Sequence, residues 1–489
     1  MAPSPEVTEF PSAGSRWWHK SAFAIFLLGY FWYFSWDSLW VHFAPDDMMN
    51  MASAWRTKPI QLLLAQLTPW SAYHRPLGAL FYSVNVNAFG LNSVPFHVEL
   101  SLMLLVNVYL IYRFGKLLGA GEIPAGLAAM LACYHAGMMN LYYNIAYSYD
   151  VLCAFFYLAA FVYYLRIRQC GRLPGAGQLT AILGLYLCAL NSKEMAATFP
   201  ILVLTYEWIY HTRPTKDWKD VVRWLRGPGR VAAITMIPTL MLFFGMVGRP
   251  DGLAHTGSYR LDLSPATVLI SVTRLTSDLL ARSHQFRTGW VVAIWALMLF
   301  LAWRRNSPVL RFCSFVLLIT PIPIMFFAET RGGACLYIPF VGLAIFASTV
   351  FVEFASFTAK FMTRALDLRR IGRQRLFAAV VVAGAFLWAR QINHIKNTLG
   401  RPTMAQLGRL TDDVTQQFRT LNPHVRPHST VVFLNDPFVD WDMTFICELW
   451  FRDRGLNIHL QRMAPLPPES IALADHVFDY RDGKLIQVR

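Results

Sequence analysis

Two adjacent carboxylates, Asp46 and Asp47, follow directly on the first long apolar run of this 489-residue chain. Carboxylates at the mouth of a membrane helix suit general-base work, because desolvation and mutual repulsion raise one pKa toward the working range. They could equally hold a divalent cation through oxygen ligands. The plainer reading is that Asp46 caps a helix beginning near Met48, since Pro-Asp is a common start signal. A second group is Tyr73-His74-Arg75-Pro76-Leu77. Arg75 could bind a phosphate through paired hydrogen bonds, with Pro76 opening the next helix and fixing where Arg75 points. A snorkelling Arg among lipid headgroups would carry the same residues. His97 stands where the next apolar run begins, a place where a lone His is more often a satisfied interfacial residue than a catalyst. In Asn191-Ser192-Lys193-Glu194, a Lys-Glu pair at membrane depth is costly unless partnered, so it either lines a cavity or neutralises a turn. Last comes Glu329-Thr330-Arg331-Gly332-Gly333, then Tyr337 and Pro339, where the glycines either admit a ligand close to the backbone or simply make a turn.

The elements that must position these groups are apolar helices. Only 15% of the residues are charged and 55% are hydrophobic, against about 25% charged in an ordinary soluble protein. Together with a mean hydropathy of +0.37, this excludes one large soluble domain. The unbroken apolar runs exclude a membrane barrel, whose strands alternate. The expected architecture is an all-α polytopic membrane bundle of about eleven spans, at 21–41, 96–114, 123–140, 148–165, 178–190, 195–210, 231–248, 288–303, 309–327, 336–355 and 376–390. With residues 1–20 cytoplasmic, half of the 44 Lys and Arg fall on the inner side. The net charge of +15 then reports membrane orientation and lipid contact rather than nucleic acid. The first apolar run is as long as a span and lacks a small-residue cleavage pattern, so it is expected to stay as an anchor. Seven scattered cysteines imply no disulfide framework.

Three domains follow: residues 1–20, a transmembrane domain at 21–390 with an outer loop at 44–95, and an outer-face α/β domain at 391–489. Helices are expected at Thr403 to Leu421 and Asp442 to Arg454, and strands at Thr430 to Leu434 and Asn457 to Gln461. A hairpin is expected around Arg481-Asp482-Gly483. Pro76 to Leu91 and Ser264 to Leu280, the latter carrying Arg274 and Asp278, are read as juxtamembrane. On this topology all four polar groups face outward, where they describe a site for an amphiphilic anion such as a lipid phosphate.

The order of these motifs resembles the multi-span GT-C glycosyltransferases. It is most similar to the branch of protein O-mannosyltransferases and transmembrane-and-TPR O-mannosyltransferases. The likeness lies in Asp46-Asp47, the Arg75-Pro76-Leu77 segment, Phe89-Gly90-Leu91-Asn92, His97, Ser192-Lys193-Glu194 with Pro200, and Arg331 with Tyr337-Ile338-Pro339. It implies transfer of a sugar from a polyprenyl-phosphate donor to a protein, lipid or polysaccharide acceptor on the outer face, in one inverting displacement. Asp46 would be the base, and Asp47 would orient it or bind a divalent metal. Arg75, Lys193 and Arg331 would hold the donor phosphate, with His97, Glu194 and Tyr337 also in the substrate site. The expected location is a cell inner membrane. A lipid-linked glycan polymerase or ligase is the nearest alternative. A transporter is the more distant one, because no matching inverted halves are seen.

Overall fold

The computed structural model describes residues 17–68, 75–211, 217–248, 257–281, 284–329, 331–365 and 370–489. Tyr73, His74 and Thr330 lie outside them. Each of the eleven expected stretches contains a helix. Five helical runs are long and apolar enough to cross a membrane, among them Ser93–Leu117, Ile145–Gln169 and Gly333–Ala365. A sixth is added if Trp218–Arg226 and Arg230–Met246, bent by 85°, form one span. Others are apolar but short: Glu122–Cys133 has 12 residues and Ala176–Ser192 has 17. At 1.5 Å per residue these reach about 18 and 26 Å, less than the roughly 30 Å of hydrocarbon. Length and composition therefore support a multi-pass protein with fewer certain crossings than eleven. Large apolar side chains such as Phe243, Trp290 and Phe386 remain exposed around the bundle, as contact with lipid requires.

The segments between the spans are also helical. Pro45 opens Pro45–Arg56 at a position where its missing N–H is not needed, and Asp46 and Asp47 sit in the first turn, favoured by the helix dipole. Pro76–Phe89 begins in the same way and ends at Gly90, whose φ of +61° breaks the helix. It is 14 residues long and packs on Pro45–Arg56, with Phe81 and Tyr82 in a core shared with Phe96 of Ser93–Leu117. Ser264 caps Pro265–Leu279 by accepting the Thr267 N–H at 3.3 Å.

The last helix of the bundle, Arg370–Ile395, passes through a π-helical turn at Lys396–Gly400 into Arg401–Leu407 and then Arg409–Leu421. Residue 391 thus lies inside a helix. Beyond it a four-stranded sheet has the order β2-β1-β3-β4, with β1 (Thr430–Phe433) parallel to β2 (Asn457–Leu460) and to β3 (His476–Arg481). β3 pairs antiparallel with β4 (Lys484–Gln487) across Asp482 and Gly483, both at positive φ, as a tight Asp-Gly hairpin needs. Phe418, Phe433 and Phe478 form the centre of this unit, and the same apolar core continues into Met48, Met51 and Tyr82. The C-terminal helix Asp442–Phe451 lies on Pro45–Arg56, and Arg56 donates to Glu448 through Nε at 2.8 Å and Nη2 at 2.5 Å. The sheet unit is therefore joined to Pro45–Arg56 by a shared core and a forked ion pair.

Candidate active site

A cleft of about 710 Å³ gathers Asp46, Arg75, Lys193, Glu194 and Arg331 from four separate stretches of chain. Each arrives by a local device. Asp46 is on the first turn of Pro45–Arg56, on the same face as Met49 and Asn50, which also line the cleft. Arg75 has left-handed backbone angles, φ 53° and ψ 52°, immediately before Pro76. That conformation is disfavoured for a non-glycine residue before proline, so the surrounding contacts must hold it. Its guanidinium donates to Glu194 through Nε at 2.9 Å and Nη2 at 3.0 Å, and lies over the rings of Tyr149 and Tyr259. Lys193 is extended, φ −161° and ψ 149°, between Ala176–Ser192 and the turn Glu194–Thr198. This break turns neighbouring side chains to different partners, Glu194 to Arg75 and Lys193 to Asp150 at 2.5 Å.

The electrostatics are those of paired charges in a partly dry cleft. Burial raises the pKa of Asp46; Arg331 opposes that rise and Asp440 adds to it. Burial alone would raise Glu194 too, but Arg75 and Lys193 hold it below the usual range. Arg331 lies over the Tyr259 ring at 4.8 Å and stands 4.0 Å from Glu329. At the far wall, the helix Pro265–Leu279 brings in Arg274 and Asp278. Asp278 accepts the Gly333 N–H at 2.9 Å, and a Cβ built on Gly332 would stand 2.2 Å from its carboxylate oxygen. Gly332 is thus required by close approach, while Gly333 has a φ of +56°.

The other expected site residues lie elsewhere. Asp47 is buried beneath the cleft, accepting the Ala44 N–H at 2.8 Å and the Tyr82 hydroxyl at 3.3 Å. The helix-capping role foreseen for Asp46 belongs to Asp47. Asp46 alone of the two lines the cleft, so the pair does not offer a shared set of oxygen ligands. Among the described residues no three His, Cys, Asp or Glu side chains are grouped to hold a metal ion. His97 is buried against the Val41 carbonyl at 3.0 Å, and Tyr337 is buried at the start of Tyr337–Ala365. Neither lines the cleft. Sequence reasoning missed Asp150, Tyr147, Tyr149 and Tyr259, and it named Arg274 and Asp278 without assigning them to the site.

The helical bundle carries a polar cleft and a small trailing sheet. It is similar to solved structures of the oligosaccharyltransferase AglB from Archaeoglobus fulgidus. These are one tethered through a disulfide bond to an acceptor peptide containing the NVT sequon (TM-score 0.53), one in the apo form (0.51), and one in complex with an inhibitory peptide and a dolichol-phosphate (0.50). Each is 12% identical to this chain. The matches cover 91%, 92% and 91% of this chain but 64%, 65% and 64% of theirs, so the chain spans a little under two thirds of the proteins it resembles. No protein-family model matches the chain, and no curated protein is similar to it in sequence. The likeness shows the fold alone and does not single out the O-mannosyltransferase branch.

Proposed function

We propose that the protein is a membrane glycosyltransferase that moves a sugar from a polyprenyl-phosphate donor to an acceptor hydroxyl on the outer face. The observation that carries this reading is one cleft whose lining brings the Asp46 carboxylate together with the cations Arg75, Lys193, Arg274 and Arg331. Asp46 takes the proton of the acceptor hydroxyl, and the oxygen forms its bond to the anomeric carbon. The bond from that carbon to the phosphate oxygen breaks, and its electron pair leaves with the phosphate. The guanidinium groups and Lys193 stabilise the charge that develops there. Glu194 acts through Arg75, fixing the plane of its guanidinium; the paired bonds use Nε and Nη2. A phosphate leaving group needs no separate general acid.

The fold likeness supports the class of reaction. It also favours a second form of the donor, a lipid-linked oligosaccharide, because the similar structures are oligosaccharyltransferases, one of them holding a dolichol-phosphate. The test is transfer of labelled sugar from polyprenyl-linked donors, carrying one sugar or several, in membranes containing wild type or Asp46→Asn. Loss of a general base costs about 10²–10⁴-fold in rate, with protein level and membrane insertion unchanged. Full transfer by the variant would remove Asp46 from the mechanism.

A further inference from the structure

A second pair of cavities lies on the other side of Pro45–Arg56. One, of about 540 Å³, runs between that helix, the turn after Pro76–Phe89 and the C-terminal helices; the other, of about 680 Å³, continues past the end of the first membrane helix. Both are within the roughly 300–1,000 Å³ typical of ligand sites. They share Trp40, His42, Asp412 and Gln416, so they form one groove along Arg409–Leu421. On Pro45–Arg56, Asp46, Met49 and Asn50 face the cleft while Met48 and Trp55 face the groove, half a turn away.

We propose that this groove binds a neutral oligosaccharide. A pyranose ring has an apolar C–H face and a rim of hydroxyls, each able to donate and accept. The groove presents both complements. Trp40, 64% exposed, and the ring of Trp450 offer flat apolar surfaces. Asp412 accepts, Arg419 donates, and Gln416 does both. At its wall Thr411 is 1% exposed, and its buried hydroxyl has no hydrogen-bond partner among the described residues. A buried hydroxyl without a partner is costly, and a ligand hydroxyl would satisfy it. An extended polypeptide is the poorer match, because no lining residue belongs to a strand and so no sheet edge is offered for pairing. His42 Nδ1 stands 3.1 Å from Asp412, linking the loop after the first membrane helix to the groove wall.

The inference goes beyond the proposed reaction, giving a glycan a place to rest behind the cleft as acceptor or product, and its binding does not depend on that reaction. Full-length protein in nanodiscs is titrated with a panel of linear neutral hexose oligomers, followed by saturation-transfer NMR and tryptophan fluorescence. Saturable binding is expected, weakened about tenfold by Trp40→Ala and by Gln416→Ala with unchanged thermal unfolding. Asp46→Asn should bind as wild type does, so loss of transfer and loss of binding are read separately. The proposal fails if wild type binds no member of the panel, or if both variants bind like wild type. It fails equally if an unstructured polypeptide binds with the same losses.

Discussion

Asp46 and Asp47 are adjacent in sequence and about 100° apart around one helix, and that rotation separates their chemistry. Asp46 opens to the cleft; Asp47 is enclosed by Ala44 and Tyr82. Burial is the largest influence on Asp47 and lifts its pKa from 3.8 to about 7, against the opposing hydrogen bonds from Ala44 and Tyr82. Its folded pKa is above its unfolded one, so the stability it contributes is complete below about 3.8 and is lost as pH rises through about 7. Thermal unfolding in detergent between pH 4 and 8 should therefore show wild type losing stability over that window, on the order of a few kcal/mol, with a flatter profile for Asp47→Asn. Identical profiles for the two proteins would contradict the buried assignment. No local pattern in the sequence distinguishes these neighbours, because what does so is the packing of Tyr82, 35 positions away.

At the scale of elements, much of the fold was legible because its signals are local. The Asp-Gly hairpin, the proline helix starts and the apolar runs all appear where short-range chemistry puts them. The site was legible only in part. Asp150 begins an apolar helix, and nothing in its neighbourhood announces that Lys193 will meet it from 43 positions away. Arg274 and Asp278 read as interruptions of an apolar helix until Gly332 and Gly333 pack against them. His97 kept the plainer role, a buried ring against a carbonyl. The clasp between Arg56 and Glu448 is equally invisible to periodicity, and it holds the helix that carries Asp46. Arg56→Ala leaves Glu448, whose side chain is 9% exposed, without its cation. A loss of about 1–2 kcal/mol is expected, moderated by the exposure of Arg56. Thermal unfolding with a parallel transfer assay would check it, and unchanged values in both would show the clasp to be dispensable.

On the expected topology the polar cleft belongs to one side of the apolar bundle, and Trp218–Arg226, with its exposed basic residues, to the other. Leu473, 84% exposed, and Trp218, 72% exposed, are suitable reporters of the two sides. In a background with the exposed Cys170 replaced by Ser, Leu473→Cys should react with a membrane-impermeant maleimide from outside and Trp218→Cys only after permeabilisation. The reverse pattern would invert the topology and, with it, the face on which transfer is placed.

The core shared by Pro45–Arg56 and the C-terminal unit also orders events during biosynthesis. Arg56 and Glu448 are 392 positions apart, so at about 5–20 residues per second the ribosome delivers the second roughly 20–80 s after the first. Throughout that interval the helix bearing Asp46 has Tyr82 and Phe96 to share its core but still lacks Phe418, Met443 and Ile446 of the trailing unit. The lining of the cleft itself ends at Met404, so its walls can come together before the trailing sheet arrives to buttress the helix that bears Asp46.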